Sequence, residues 1–372
     1  TASDGKLYYL PVKTNAWLTL GWIYRADFFE KHDISFPETT DDLFNALKTI
    51  KKLDPESVPM GSRGPGYPST MGIGMSAAFR TDNGFFFDPD ENALVFGPTT
   101  QKWRDMIAFI RKLYDNNLMV QEFPTWTTEQ WQGHIVNGKT FIESGYADWS
   151  LYFQGLMQDV VPENTWQPSL SWISASSDKP ALIGNGSSVY PFGPAFTIAL
   201  KDENKLDRIL QYADWASTVE GAIAHDVGDL GVTYEEVNGK FKFMDHMQEA
   251  GLDMNAHHRG NFGLSYWTRR SELSSDMIPR AKDGLDAHAY NLSYSYKKEL
   301  ILWDFNEAEN AAKADYETVV GDLVKQAAMQ FIMGAKDIAS NAEWEAFQTE
   351  LSKTGLDELN KAYQAAYKRS MQ

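Results

Sequence analysis

The chain has 372 residues, 43% hydrophobic and 23% charged, a globular composition that argues against disorder and, at this length, favours two lobes. It contains no cysteine, which excludes disulfides, thiolate metal sites and cysteine nucleophiles together. Its formal charge of −17 argues against nucleic acid or an anionic membrane surface as a partner, because like charge repels both.

No run approaches the roughly 20 apolar residues that a bilayer span requires. Residues 1–6 carry neither the basic nor the apolar region of a signal peptide. The aromatic content is high, with 12 Trp, 17 Tyr and 21 Phe. Flat rings fill cores, and they also stack on the apolar faces of sugars.

In chain order, residues 6–11 read as a short strand ending in proline, and 17–24 as a second strand rich in β-formers. Thr39-Thr40-Asp41-Asp42 offers an N-cap and an acidic first turn for a helix. Its inward positions are Leu43, Phe44, Leu47 and Ile50, and Lys51-Lys52 close it. Residues 61–74, rich in Gly, Pro and Ser, read as a loop. Thr99 or Thr100 caps a long helix with Trp103, Ile107, Ile110 and Tyr114 on its apolar face, ending at Asn116-Asn117. A further helix over 205–217 turns Leu206, Ile209, Leu210 and Ala213 inward. The C-terminal third is helical. One wide stripe includes Val319, Val320, Val324 and Phe331 and stops at Gly334; another, with Trp344, Phe347 and Leu351, ends near Gly355. Trp103, Trp215 and Trp344 fall on these stripes and are expected in the core. Of Trp126 and Trp131, at least one is expected there too. Strands alternate with helices through the first two-thirds, which implies α/β layers. Without a low-complexity linker, the lobes are expected to be joined by crossing strands.

The order of segments resembles that of family 1 extracellular solute-binding proteins, the receptors of ABC importers. "DGKLYYLP" leads into "GWIYRADFFEKHDISFPETTDDLFNALKTIKKLDP". "FIESGYADWSLYF" resembles a strand-to-tryptophan element on the ligand cleft, and "GPAFTIALKDENKLDRILQYADWAST" a strand-helix pair. The tail from residue 328 is similar to the branch that includes alginate-oligosaccharide receptors. The resemblance covers nearly the whole chain and implies an α/β, two-lobed periplasmic-binding-protein-like fold of type II. In that family a further segment precedes "DGKLYYLP". The second lobe (14–225 and 308–372) is therefore expected largely complete, and the first (1–13 and 226–307) partial.

The same resemblance implies a receptor that captures an oligosaccharide, uronate-containing in the alginate branch, in an interlobe cleft and delivers it to an ABC transporter membrane permease. It implies no enzyme activity, no cofactor, and an extracellular or periplasmic location, lipid-anchored in some members. Trp149 is then the stacking platform, Asp148 a hydroxyl acceptor, and Tyr146 their neighbour. Asn15 and Trp17 follow the strand that enters the cleft, and Tyr67 sits in a loop that presents an aromatic to the ligand. Tyr266 and Trp267 line the cleft, with Arg269 and Arg270 placed to pair with a uronate carboxylate. Alginate-type relatives carry a calcium loop where this chain has the short run Leu53-Asp54-Pro55-Glu56-Ser57, so no calcium is expected there. Asp88-Pro89-Asp90-Glu91-Asn92 opens like a calcium loop but has Ala93 at the sixth position, and is expected to be a solvated turn. His257-His258 lacks companions at ligand spacing, so no metal site is expected.

Two other functions compete. A glycoside hydrolase would need paired carboxylates about 5–5.5 or 6.5–9.5 Å apart, and no catalytic signature frames such a pair. A receptor for another solute, such as a peptide, would use the same aromatics.

Overall fold

The computed structural model describes residues 12–13, 20–64, 70–146, 149–169, 172–184, 189–190, 203–226, 228–244, 296–298 and 303–371. Two units emerge: Thr1–Leu18 with Gly186–Lys282, and Thr19–Asn185 with Asp283–Gln372. The first unit holds β1 (Val12–Lys13), and the chain then enters the second. There follow β2 (Leu20–Arg25), α1 (Ala26–Lys31), α2 (Thr40–Leu53) and α3 (Thr70–Ala78). A hairpin of β3 (Phe85–Asp88) and β4 (Ala93–Phe96) precedes α4 (Gln101–Asp115) and α5 (Thr128–Val136). Next come β5 (Ile142–Tyr146), α6 (Trp149–Met157), β6 (Trp166–Pro168) and β7 (Leu182–Gly184).

Back in the first unit, β8 (Val189–Tyr190) pairs antiparallel with β1. Helices α7 (Glu203–Ala216) and α8 (Val219–Asp226) and the hairpin of β9 (Tyr234–Val237) and β10 (Lys240–Phe243) complete its described elements. In the second unit again, β11 (Tyr296–Lys298) runs parallel to β7. It closes with α9 (Glu307–Met333), α10 (Asn341–Leu351) and α11 (Asp357–Ser370).

The second unit is organised around a three-stranded antiparallel sheet in the order β5-β2-β6. Successive side chains of a strand leave on opposite faces, yet Trp22 and Ile23 are both buried, at 1% and 0% exposure. The sheet is therefore covered on both sides. Trp22 is paired with Ser144 across the ladder, and α3 lies on that face. A Cβ at Gly74 would come within 2.6 Å of Ser144 Cβ and 2.7 Å of Trp22 Cζ2. This contact explains why part of the 61–74 segment, read as loop, is helical from Thr70: the glycines that weaken an isolated helix let this one lie directly on the sheet.

Local signals fix the helix starts. Thr39 and Asp42 exchange hydrogen bonds in a capping box before α2, Thr100 caps α4, and Thr127 with Gln130 repeats the box before α5. In α2, Leu43, Leu47 and Ile50 are fully buried, while Phe44 lies at the edge, its ring 4.0 Å from Lys112 Nζ. Trp103 is fully buried, stacks on Phe347 at 5.7 Å and donates its indole N–H to Asn83 Oδ1 at 2.9 Å. It thereby joins α4 to α10.

Several side chains depart from the expected stripes. Leu210 is exposed, because α7 buries the narrower seam of Ala213 and Ala216. Val319 is exposed as well, since Val320, Val324 and Ala327 suffice to seat α9. Trp215 and Trp344 are only partly buried; the Trp344 ring carries the Arg104 guanidinium at 5.4 Å. Trp126 and Trp131 are both buried. The 88–92 turn is not simply solvated: Asp88 is 1% exposed and accepts from Lys102 Nζ at 2.7 and 2.8 Å. Asp90 accepts from Arg80 Nε and from Lys102 Nζ. The Arg80 hydrogen bond, against burial and with help from Lys102, holds the Asp90 carboxyl well below the usual carboxylate range. Among the described residues no helix is long and apolar enough to cross a membrane.

Two outcomes are expected. Gly74→Ala overpacks the helix-sheet contact and costs about 1–3 kcal/mol, read as a lower urea midpoint. The Asp90 carboxyl titrates lower when folded than unfolded, so its contribution is complete above about pH 4 and is lost as pH falls through the folded value. Asp90→Asn should lower stability at neutral pH and flatten its decline on acidification, measured by urea melts across the acid range.

Candidate functional site

The face of the sheet opposite α3 carries Ile23, Glu143 and the glycine pair Gly21 and Gly145, aligned by the ladder. Glu143 is fully buried, and a carboxylate there must be hydrogen-bonded. Trp131 of α5, itself 2% exposed, donates its indole N–H to Glu143 Oε2 at 2.8 Å. Strand and helix are thus fixed to each other by a charge-assisted bond.

Trp149 stands at the first residue of α6, just beyond the end of β5. Its ring lies over the strand, where a Cβ on Gly145 would come within 2.6 Å of Trp149 Cε3. Only glycine permits that approach. The ring centroid is 5.3 Å from Trp131, tilted by 57°, and 5.9 Å from Phe153. Trp131 also meets Phe153 edge-on at 5.3 Å. The half-buried Trp149 is therefore braced from below.

Arg63 completes the group. Its backbone follows Gly61, whose N–H donates to Ile142 O at 2.9 Å. The Arg63 guanidinium carbon lies 5.4 Å from the Trp149 ring and 5.6 Å from Trp131. A cation at that distance is attracted by the ring quadrupole, by about 0.5–1 kcal/mol where water has access. Braced indole and exposed guanidinium together offer an apolar surface beside a cation. That pairing suits a ligand with apolar faces and oxygen-bearing edges.

Of the residues singled out in the sequence, Trp149 takes a place in this group, and Tyr146 ends β5 at the position paired with Leu20. Asn15, Trp17, Tyr67, Asp148, Tyr266, Trp267, Arg269 and Arg270 lie outside the described residues, as do His257 and His258. Arg63, Glu143 and the bracing role of Trp131 were not anticipated. Glu143 did leave a trace: an acidic residue in the middle of Phe-Ile-Glu-Ser-Gly demands a buried partner. Arg63 left none beyond its place beside the Gly/Pro loop. Among the described residues, no three His, Asp or Glu side chains gather as a metal site. The Asp54 carboxylate, in the short run compared with a calcium loop, lies 3.8 Å from Lys139 Nζ.

This architecture is that of the solute-binding proteins. It matches the alginate-binding protein AlgQ2 with a TM-score of 0.77 at 20% identity, over 98% of this chain and 75% of that one. It matches the ABC-transporter substrate-binding protein FusA of S. pneumoniae, in complex with kestose, with a TM-score of 0.73 at 15% identity. That match covers 100% of this chain and 78% of FusA. In sequence, the chain is 24% identical over 384 residues to lipoprotein LipO of Bacillus subtilis (strain 168), spanning 98% of this chain and 72% of LipO. The sequence model described as bacterial extracellular solute-binding protein matches residues 1–184, and the chain is similar to that family over this stretch. The family and these structural relatives are binding proteins, not enzymes.

Trp131→Phe keeps a ring but removes one N–H donor from the buried Glu143 carboxylate, which should cost about 1–3 kcal/mol. A thermal or urea melt beside the Glu143→Gln variant, which keeps an amide oxygen to accept from Trp131, separates the lost hydrogen bond from lost packing.

Proposed function

We propose that the protein is the extracellular receptor of an ABC importer for an oligosaccharide, and that it releases its ligand unaltered to a membrane permease. The observation that carries this reading is the Trp149 ring braced on Trp131 and Phe153, with the Arg63 guanidinium over both indoles. Alginate and kestose, the sugars in the names of the structural relatives, have the alternating apolar faces and hydroxylated edges that such a platform accepts. Tyr146 and Asp148 flank the platform in sequence and supply polar contacts. Asn15, Trp17, Tyr67, Tyr266, Trp267, Arg269 and Arg270 extend the ligand contacts, the arginines toward an acidic sugar. The protein acts outside the cell, and its relative LipO is named as a lipoprotein.

Binding proteins need no bond-breaking groups. The buried Glu143 is committed to the Trp131 N–H, which suits a positioning carboxylate rather than a general acid.

A thermal-shift panel of neutral and uronate oligosaccharides tests the reading. A bound ligand at a hundredfold excess over its Kd stabilises by about 2.7 kcal/mol. Trp149→Ala should weaken binding at least about tenfold, equivalent to about 1.4 kcal/mol, with the fold intact by circular dichroism. No stabilisation by any sugar, or unchanged affinity in Trp149→Ala, overturns it. Sugar recovered shortened after prolonged incubation would instead favour a hydrolase.

A further inference from the structure

Helix α5 has a second face. Trp131 and Ile135 turn into the core, whereas Gln130 and His134, one turn apart, line a groove of about 630 Å³. That volume is within the range of about 300–1,000 Å³ typical of small-ligand sites. Its other walls are the end of α2 and the turn after it, with Lys51 and Glu56, and the stretch from Asn117 to Trp126. All of these residues belong to the second unit.

Two rings in the groove wall carry buried nitrogens. Trp126 is 5% exposed and meets the His134 ring edge-on at 4.8 Å. Neither Trp126 Nε1 nor His134 Nδ1 has a hydrogen-bond partner among the described residues. Burial pushes the His134 imidazole below its ordinary pKa, so it is a neutral ring with one donor and one acceptor nitrogen.

The amides around the rings are half committed. Gln130 Oε1 accepts from the Thr127 N–H at 3.0 Å, which leaves its NH₂ as donor. Gln121 is the reverse: its NH₂ donates to Tyr114 O and Met119 O, each at 3.1 Å, leaving its oxygen as acceptor. Lys51 Nζ is held by Ser57 O at 2.6 Å. Donors and acceptors are therefore interleaved. A carboxylate or phosphate could only accept and would face Glu56 and Glu122; a cation could only donate and would face Lys51. A hydroxyl does both.

We infer that this groove is a second binding site on the protein, and that it takes a neutral hydroxyl-rich ligand the size of a monosaccharide, held by the Gln130 donor and the Gln121 acceptor beside the Trp126 and His134 rings. The site is separate from the Trp149 platform and stands or falls apart from it.

The test is ¹⁹F NMR of the full chain labelled with 5-fluorotryptophan, the Trp126 resonance being assigned by its loss in Trp126→Phe. Titration with glucose or galactose should shift that resonance saturably. Gln130→Glu retains the capping-box oxygen but removes the amide donor, and should weaken the effect about fivefold. Trp149→Ala should leave the titration unchanged. The inference is overturned if neither hexose moves the Trp126 resonance. It is equally overturned if the shift vanishes in Trp149→Ala, which would place the sugar at the platform alone, or if galacturonate binds as tightly as galactose.

Discussion

A carboxylate with no exposure to water constrains everything near it, and Glu143 is such a group in the middle of a strand. Burying a charge requires hydrogen-bond donors, and the Trp131 indole N–H is one that reaches it. That requirement fixes the rotation of α5, which fixes the plane of the Trp131 ring, which in turn supports Trp149. Arg63 then finds two indole faces within reach. The platform is the visible end of a chain of necessities that begins with one buried hydrogen bond.

The sheet allows this because its two faces have different work. On the Trp22 and Ser144 side, α3 lies so close that position 74 has no room for a side chain. This contact is rigid and apolar. On the Glu143 and Gly145 side, the cover is made of large rings and one charge, and the glycine is again what brings ring and strand together. Close packing thus holds the strand on both faces, with glycine at the point of contact on each.

Helix α5 links this region to the groove beyond it. Residues four apart share a face, and the neighbouring pair lies about a hundred degrees around the helix axis. Gln130 with His134 and Trp131 with Ile135 are such neighbouring pairs. A short helix of nine residues thus presents one stripe to the sheet and platform and the next to the groove. Its capping box holds Thr127 and Gln130 together at the N-terminus, so neither stripe can rotate without the other.

Much of this was legible in the chain itself. Local chemistry determines the starts of α2 and α4, because a threonine followed three residues on by an acceptor or an N–H settles a helix end without outside help. The apolar periods of α2, α4 and α9 gave their inward faces, and the glycine at 334 marked where the last of them stops. Trp149 was singled out from the residues around it and from the family's segment order. What the sequence could not yield are the contacts made between distant segments. Thr70–Ala78 is helical because the sheet accepts its glycines, and Leu210 and Val319 are exposed because the surrounding surfaces close before reaching them. Asp88 is buried because Lys102, fourteen residues away, neutralises it. Arg63 and Glu143 belong to the site for the same reason: a side chain's neighbours in space, unlike its helical period or cap, are decided only when the layers come together.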